Sequence, residues 1–145
     1  MKKTFKLEFE LEIEGELFAL SSSAKPYKLA FLISRLLKLD LRKGEDLKLN
    51  LGEKKIQSHL NYICKTGYHV FRLIENRGIN IESGEVLGTL FQELRDFDFV
   101  FYMESQSGLD FLKIQDKIRQ LPEVNLALKF DANELKNKEI LVADL

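Results

Sequence analysis

Cys64 and His69 flank Thr66-Gly67, and a tight turn at that dipeptide sets their side chains opposite each other across a hairpin. A thiol and an imidazole so placed are part of a structural zinc site, or the nucleophile and base of a covalent catalyst. No pattern in the chain supplies the remaining metal ligands, and no third group orients His69, so the pair reads as a packed hairpin end. Glu93, Asp96 and Asp98 form a second cluster. Neighbouring carboxylates are the material of acid–base catalysis, but helix capping or an ion pair with Arg77 or Arg95 is the simpler role. Glu8, Glu10, Glu12 and Glu14 share one face of an alternating run and, spaced along a strand, cannot converge on one cation. Gly78, Gly84 and Gly88 fit neither the dinucleotide nor the P-loop spacing, and the chain has no G-x-S-x-G elbow and no CxxC. No catalytic residue, metal or cofactor is assigned, and the reading leans away from an enzyme.

The remaining chemistry is cationic and aromatic. Lys25, Lys28, Arg35, Lys38, Arg42 and Lys43 lie close in sequence to Tyr27 and Phe31, a combination that binds nucleic acid through phosphate contacts and base stacking. Globally the charge gives no such pull: 22 basic against 23 acidic residues leave a net charge of -1. A single cysteine excludes an internal disulfide and suits a reducing compartment. Alternating charge after Met1-Lys2-Lys3-Thr4 does not resemble a secretory leader, and no apolar run is long enough to span a bilayer. The expected address is the cytoplasm, with no membrane partner.

The elements that position these groups are organised around Phe97 to Met103. Phe97, Phe99, Phe101 and Met103 share one strand face, and Asp98, Val100 and Tyr102 share the other, so this run is expected in the middle of a sheet. Phe5 to Ile13 alternates as a half-buried strand, and Leu17 to Leu20 continues in extended form after a turn or bulge at Glu14-Gly15. A helix is predicted from about Ala24 to Lys38, capped by Ser21-Ser22-Ser23, with Leu29, Leu32, Ile33 and Leu36 inward. That places Tyr27 and Phe31 on the outer side beside Lys28, Arg35 and Lys38, where either the C-terminal tail or a partner covers them.

Leu47 to Leu51, Lys54 to Lys65 and Tyr68 to Glu75 read as a three-stranded meander with two-residue turns at Gly52-Glu53 and Thr66-Gly67. The registers pair Leu49 with Ile56, Leu60 with Leu73, Tyr62 with Phe71 and Cys64 with His69. Lys48, Asn50, Gln57, His59, Asn61 and Arg72 then fall on a polar face. Val86, Leu87, Leu90 and Leu94 predict a short helix from about Gly84 to Arg95. A second main helix runs from Ser107 to about Leu121 with Leu112, Ile118 and Leu121 inward. Val124, Leu126, Leu128 and Phe130 form a last strand reached by a parallel crossover, Asp131 caps a short helix, and Ile140 to Leu145 docks as an apolar tail.

Leu90-Phe91-Gln92-Glu93-Leu94-Arg95-Asp96-Phe97-Asp98-Phe99 resembles the signature of the IPExxxVDY family, small proteins of Bacteroidetes without an established activity. Glu93 and Asp98 match the family's Glu and Asp; Phe91, Phe97 and Phe99 stand for Ile, Val and Tyr, and Gln92 stands where the family has proline. Tyr27-Lys28-Leu29, Glu75-Asn76-Arg77 and Leu121-Pro122-Glu123-Val124 resemble its surrounding order. The resemblance implies a bacterial cytoplasmic protein in which Glu93 and Asp98, with Arg77, hold a particular local structure.

These observations predict one α+β domain over residues 1–145: a two-layer fold with an antiparallel-dominated sheet of about six strands and two main helices on one face. The expected function is a non-enzymatic protein-interaction or assembly module, a homodimer among its forms, using Tyr27, Phe31, Lys28, Arg35 and Lys38. The alternative is RNA or other nucleic-acid binding through the same helix, and an enzyme of unknown type ranks third.

Overall fold

The computed structural model describes residues 11–143. The strand expected from Phe5 lies largely outside the described residues, and Leu11 to Glu14 carry no regular structure. Regular elements follow as β1 (Glu16–Ser22), α1 (Pro26–Leu37), β2 (Arg42–Lys43), β3 (Leu47–Asn50), β4 (Ile56–His59), β5 (Asn61–Lys65), β6 (His69–Glu75), β7 (Arg77–Asn80), β8 (Val86–Thr89), β9 (Phe99–Ser105), α2 (Phe111–Arg119) and β10 (Val124–Phe130), with short 3-10 turns at Gln92–Leu94, Ala132–Glu134 and Lys138–Val142. The fold is α+β. Among the described residues, one six-stranded sheet has the order β10-β1-β9-β6-β5-β2, and a second sheet of four strands has the order β3-β4-β7-β8.

β9 lies between β1 and β6, as a strand apolar on both faces must. Phe99, Phe101 and Met103 meet Phe18, Leu20 and Phe71 and the inward residues of the helices, Leu29, Ile33 and Ile118. Val100 and Tyr102 meet Leu17, Ala19 and Ile74 on the other face, beneath Phe91, Leu94, Leu135 and Leu141. Burial of each large apolar side chain contributes at most about 1.5–3 kcal/mol, so this doubly covered strand is a main source of stability. β9 and β10 both run antiparallel to β1, so α2 connects two parallel strands with β1 inserted between them. Among the described residues no helix is long and apolar enough to cross a membrane.

Two turns shift the expected registers. The first hairpin turns through Gly52, Glu53 and Lys54, all with positive φ (82°, 50° and 64°). This three-residue loop pairs Leu49 with Gln57 and Leu47 with His59. A one-residue slip exchanges the faces, so Gln57 and His59 point inward beside Leu47 and Leu49 instead of lying on a polar surface. In the second hairpin the turn residues are Gly67-Tyr68, because the Thr66 hydroxyl accepts the His69 N–H at 3.0 Å and the Thr66 N–H donates to the His69 carbonyl at 2.9 Å. Tyr62 therefore pairs with Leu73 and Cys64 with Phe71, a two-residue slip that keeps every face but separates Cys64 from His69. The chain from Lys54 to Lys65 is also not one strand: it leaves the small sheet at His59 and enters the large one at Asn61.

The helix expected from Gly84 to Arg95 is replaced by β8 and a 3-10 turn. Asn80 Oδ1 accepts the N–H groups of Glu82 and Ser83, and Gly84, at φ 74°, returns its N–H to the Asn80 carbonyl at 2.8 Å. That closed turn sends Val86–Thr89 back along β7. The serines do not cap α1: Lys25 is its N-cap with no side-chain bond, and Ser22 Oγ donates instead to the Glu123 carbonyl at 2.6 Å. α2 starts later than expected, capped by Asp110, so Phe111, Ile114, Gln115 and Ile118 face inward while Leu112 is 71% exposed. A bulge between Ser21 and Ser22 turns Val124 toward the helices, leaving Leu126 and Leu128 on the opposite, more open face of β10.

Candidate functional site

α1 begins at Pro26, whose missing N–H is no loss in a first turn, and stops at Lys38, where a left-handed backbone returns its N–H to the Ser34 carbonyl. Leu29, Ala30 and Ile33 are buried. The opposite side of the helix therefore carries Tyr27 and Phe31, which are 65% and 57% exposed. Lys28, Arg35 and Lys38 are exposed around them, and the Arg35 guanidinium sits over the Phe31 ring at 5.6 Å. Among the described residues the C-terminal segment does not cover this ridge: Leu135 and Leu141 pack on the other face of the large sheet. Two of the six basic residues are already paired, Arg42 with Asp40 at 2.7 Å and Lys43 with Asp46 at 2.9 Å. The second pairing raises the Lys43 pKa, through its hydrogen bond to Asp46 first.

Asp98 stands just before β9. Its Oδ2 accepts the Ser22 N–H at 2.9 Å and its Oδ1 accepts from Arg77 Nε at 2.8 Å. Glu93 turns to a different partner, the Lys136 N–H at 2.9 Å. These two carboxylates thus fasten the 90–98 segment to β1 on one side and to the C-terminal segment on the other. Between them lies a residue the sequence reading passed over. Asn76 is fully buried; its Nδ2 donates to the carbonyls of Leu94 (2.8 Å) and Phe97 (3.0 Å), and its Oδ1 accepts the Phe91 N–H at 3.0 Å. Its only signal in the sequence is its place between Glu75 and Arg77, at the end of a strand.

Of the six residues expected on a polar face, Gln57, His59, Asn61 and Arg72 are buried, whereas Lys48 and Asn50 are exposed. Arg72 and His59 are 0% exposed, and Gln57 and Asn61 nearly so. Arg72 Nε donates to Asn61 Oδ1 at 2.8 Å, while Nη1 reaches the carbonyls of Ile140, Leu141 and Ala143. The guanidinium therefore collects the C-terminal turn as far as Ala143, and the last two residues of the expected tail lie outside the described residues. His59 Nδ1 lies 2.9 Å from the Glu75 carbonyl, and Nε2 lies 2.8 Å from Gln57 Nε2. A carbonyl only accepts, so Nδ1 carries the proton and Nε2 accepts from the amide. Burial pushes the His59 pKa down against the opposing effect of the Glu75 carbonyl, and burial also pushes up the Glu75 carboxyl and the Tyr62 phenol.

A polar cleft of about 260 Å³ opens at the turn end of β6 and β9, lined in part by Glu14, Lys65, Tyr68, His69, Glu104 and Ser105. Glu104 Oε2 accepts the Tyr102 hydroxyl at 2.7 Å, and burial, then this contact, drives the phenol well above its ordinary pKa. His69 and Ser105 meet only because β6 and β9 are neighbours, which local sequence does not reveal. Among the described residues no three His, Cys, Asp or Glu side chains come together as metal ligands. In comparisons with protein-family models, curated proteins and solved structures, nothing matches this chain.

Proposed function

We propose that this protein is a non-enzymatic interaction module whose α1 ridge docks a protein surface carrying apolar and acidic residues. The observation that carries the reading is the exposure of Tyr27 and Phe31, one helical turn apart, on a helix whose other face is locked in the core. Aromatic rings bordered by cations are the composition of an interface centre and its rim. Residues 24–38 contain Lys25, Lys28, Arg35 and Lys38 and no acidic residue. A two-fold contact of ridge against ridge would oppose like charges, which favours an acidic partner over a homodimer through this face.

Nucleic acid is the second reading, favoured by the same rings and cations and weakened by the pairing of Arg42 and Lys43 with acids. The test compares wild type with Phe31→Asp and Arg35→Glu, first for unchanged urea unfolding, then for co-purification from nuclease-treated extract of the source cell. Retention of an acidic protein that both substitutions abolish supports the proposal. Retention that nuclease removes transfers the ridge to nucleic acid. Concentration-dependent self-association in sedimentation, lost in Phe31→Asp, assigns it to a second copy.

A further inference from the structure

Beside its aromatic ridge, α1 borders a groove. Two cavities, of about 380 and 330 Å³, lie along one flank of the helix. The first is lined in part by Lys25, Tyr27, Lys28 and Glu123, the second by Leu32, Arg35, Leu36 and Leu121. Lys28, Leu32, Arg35 and Leu36 recur at three- and four-residue spacing, which sets them on one side of the helix. Leu121 and Glu123 stand on the turn between α2 and β10. The cavities are therefore neighbouring parts of one groove between α1 and that turn. At a rise of about 1.5 Å per residue it extends about 16 Å from Lys25 to Leu36, the length of about five residues of extended chain.

The two ends differ in chemistry. At one, the exposed Lys25 and Lys28 outweigh the single carboxylate of Glu123. At the other, the half-buried Leu32, Leu36 and Leu121 form an apolar floor. Arg35 lines that end while its guanidinium rests over the Phe31 ring at 5.6 Å, a placement that leaves its planar fork ready for a carboxylate. Among the described residues no carboxylate pairs with Lys25, Lys28 or Arg35, whereas Arg42 and Lys43 are already paired. Resting on the reading of α1 as the docking surface, we infer that this groove takes a short linear segment of the partner. The segment is acidic where it meets Lys25, Lys28 and Arg35 and carries one bulky apolar side chain that enters between Leu32, Leu36 and Leu121.

A displayed library of random peptides, selected on the whole protein, is expected to enrich sequences with carboxylates beside a bulky aliphatic or aromatic residue. Truncating that residue to Ala in an enriched peptide is expected to weaken its binding to wild type about tenfold in fluorescence anisotropy. Lys28→Glu, at an exposed position outside the ring ridge, is expected to weaken it about tenfold at an unchanged urea midpoint, and Leu121→Gln to do the same. Should Leu121→Gln lower the midpoint, the truncated peptide on wild type still reports the apolar contact. Enrichment of peptides without carboxylates, affinity unchanged by Lys28→Glu or by the truncation, or a groove closed by self-association of the protein would overturn the inference. Retention of an acidic protein that Phe31→Asp abolishes, with no such peptide bound, would remove the groove and leave the ridge; failure of both would remove the ridge as well.

Discussion

The carboxylate of Asp98 accepts the backbone N–H of Ser22 at 2.9 Å, tying the entry of the central strand to the end of a strand 76 positions earlier in the chain. The same carboxylate pairs with Arg77 at 2.8 Å, where the side chains are 27% and 48% exposed. These two contacts differ in worth. An N–H left without its charged acceptor costs about 1–3 kcal/mol, whereas an ion pair this open to water contributes about 0–1 kcal/mol. Asp98→Ala is therefore expected to lower unfolding stability by about 2–3 kcal/mol and Arg77→Ala by less than about 1 kcal/mol. Urea denaturation of both variants decides it; equal losses would show that the ion pair, not the Ser22 contact, carries the weight.

Asn76 is the firmest point of the 90–98 segment. Truncation to Ala leaves the Phe91 N–H and the Phe97 carbonyl without the side-chain partner and takes from the Leu94 carbonyl one of its two donors, the Phe97 N–H remaining, an expected loss of about 2–4 kcal/mol. Asn76→Asp is the more informative change, because an ionised carboxylate would face two carbonyls and no donor for one of its oxygens. Protonated, it recovers one donor. The variant's deficit relative to wild type is expected to shrink as the pH falls from 7 to 4, and a deficit independent of pH would show that the amide's donors are not what holds the loop.

His59 links stability to pH with a definite sign. Its native pKa is held below the ordinary 6.5 by burial, so on acidification the unfolded chain takes up the proton first. Stability from this group is complete above 6.5 and declines as the pH falls toward the depressed native value. Glu75 acts oppositely: burial raises its carboxyl above 4.5, so its contribution is complete below 4.5 and declines as the pH rises through the raised value. Between these limits the two oppose each other, and the wild-type curve alone hides both. His59→Asn retains a donor for the Glu75 carbonyl without a titrating group. The stability difference between wild type and this variant is expected to move against wild type between pH 6.5 and 5, and a constant difference would remove His59 from the linkage.

Periodicity made the outer frame legible. α1, with Leu29 and Ile33 inward, and β9, apolar at Phe99, Phe101 and Met103 and again at Val100, could be read because burial of one face, or of both, writes itself as spacing. Polarity misled where burial depends on partners distant in sequence. Arg72 and Asn61 lie on a polar face that becomes an interior only when the C-terminal carbonyls arrive. The exposed ridge of Tyr27 and Phe31 was visible as aromatic residues out of phase with the core stripe. The cleft at His69 and Ser105 was not, since nothing near His69 announces that β9 is its neighbour. At Asn80 a local signal did exist: an Asx turn closed by Gly84 outweighs the helical spacing of Val86, Leu87, Leu90 and Leu94.

Gly78 and Gly88 pair across β7 and β8, yet only one of them is required to be glycine. A Cβ on Gly78 would come within 2.6 Å of the His59 ring and closer still to the Gln57 side chain, which are themselves hydrogen-bonded to each other and fully enclosed. Neither can retreat without giving up that bond or the one to the Glu75 carbonyl. A Cβ on Gly88 would meet only Gln57 Oε1, at 3.4 Å. Gly78→Ala is accordingly expected to cost about 2–3 kcal/mol, as overpacking of a closed site does. Gly88→Ala is expected to be neutral or to stabilise by up to about 1 kcal/mol, since its backbone is compatible with a side chain and the unfolded chain loses freedom. Thermal unfolding separates the two, and the His59 ring signals should move in Gly78→Ala alone. Equal destabilisation by both substitutions would mean that the β7–β8 backbone, not the packing of His59 against Gly78, sets the tolerance of this sheet.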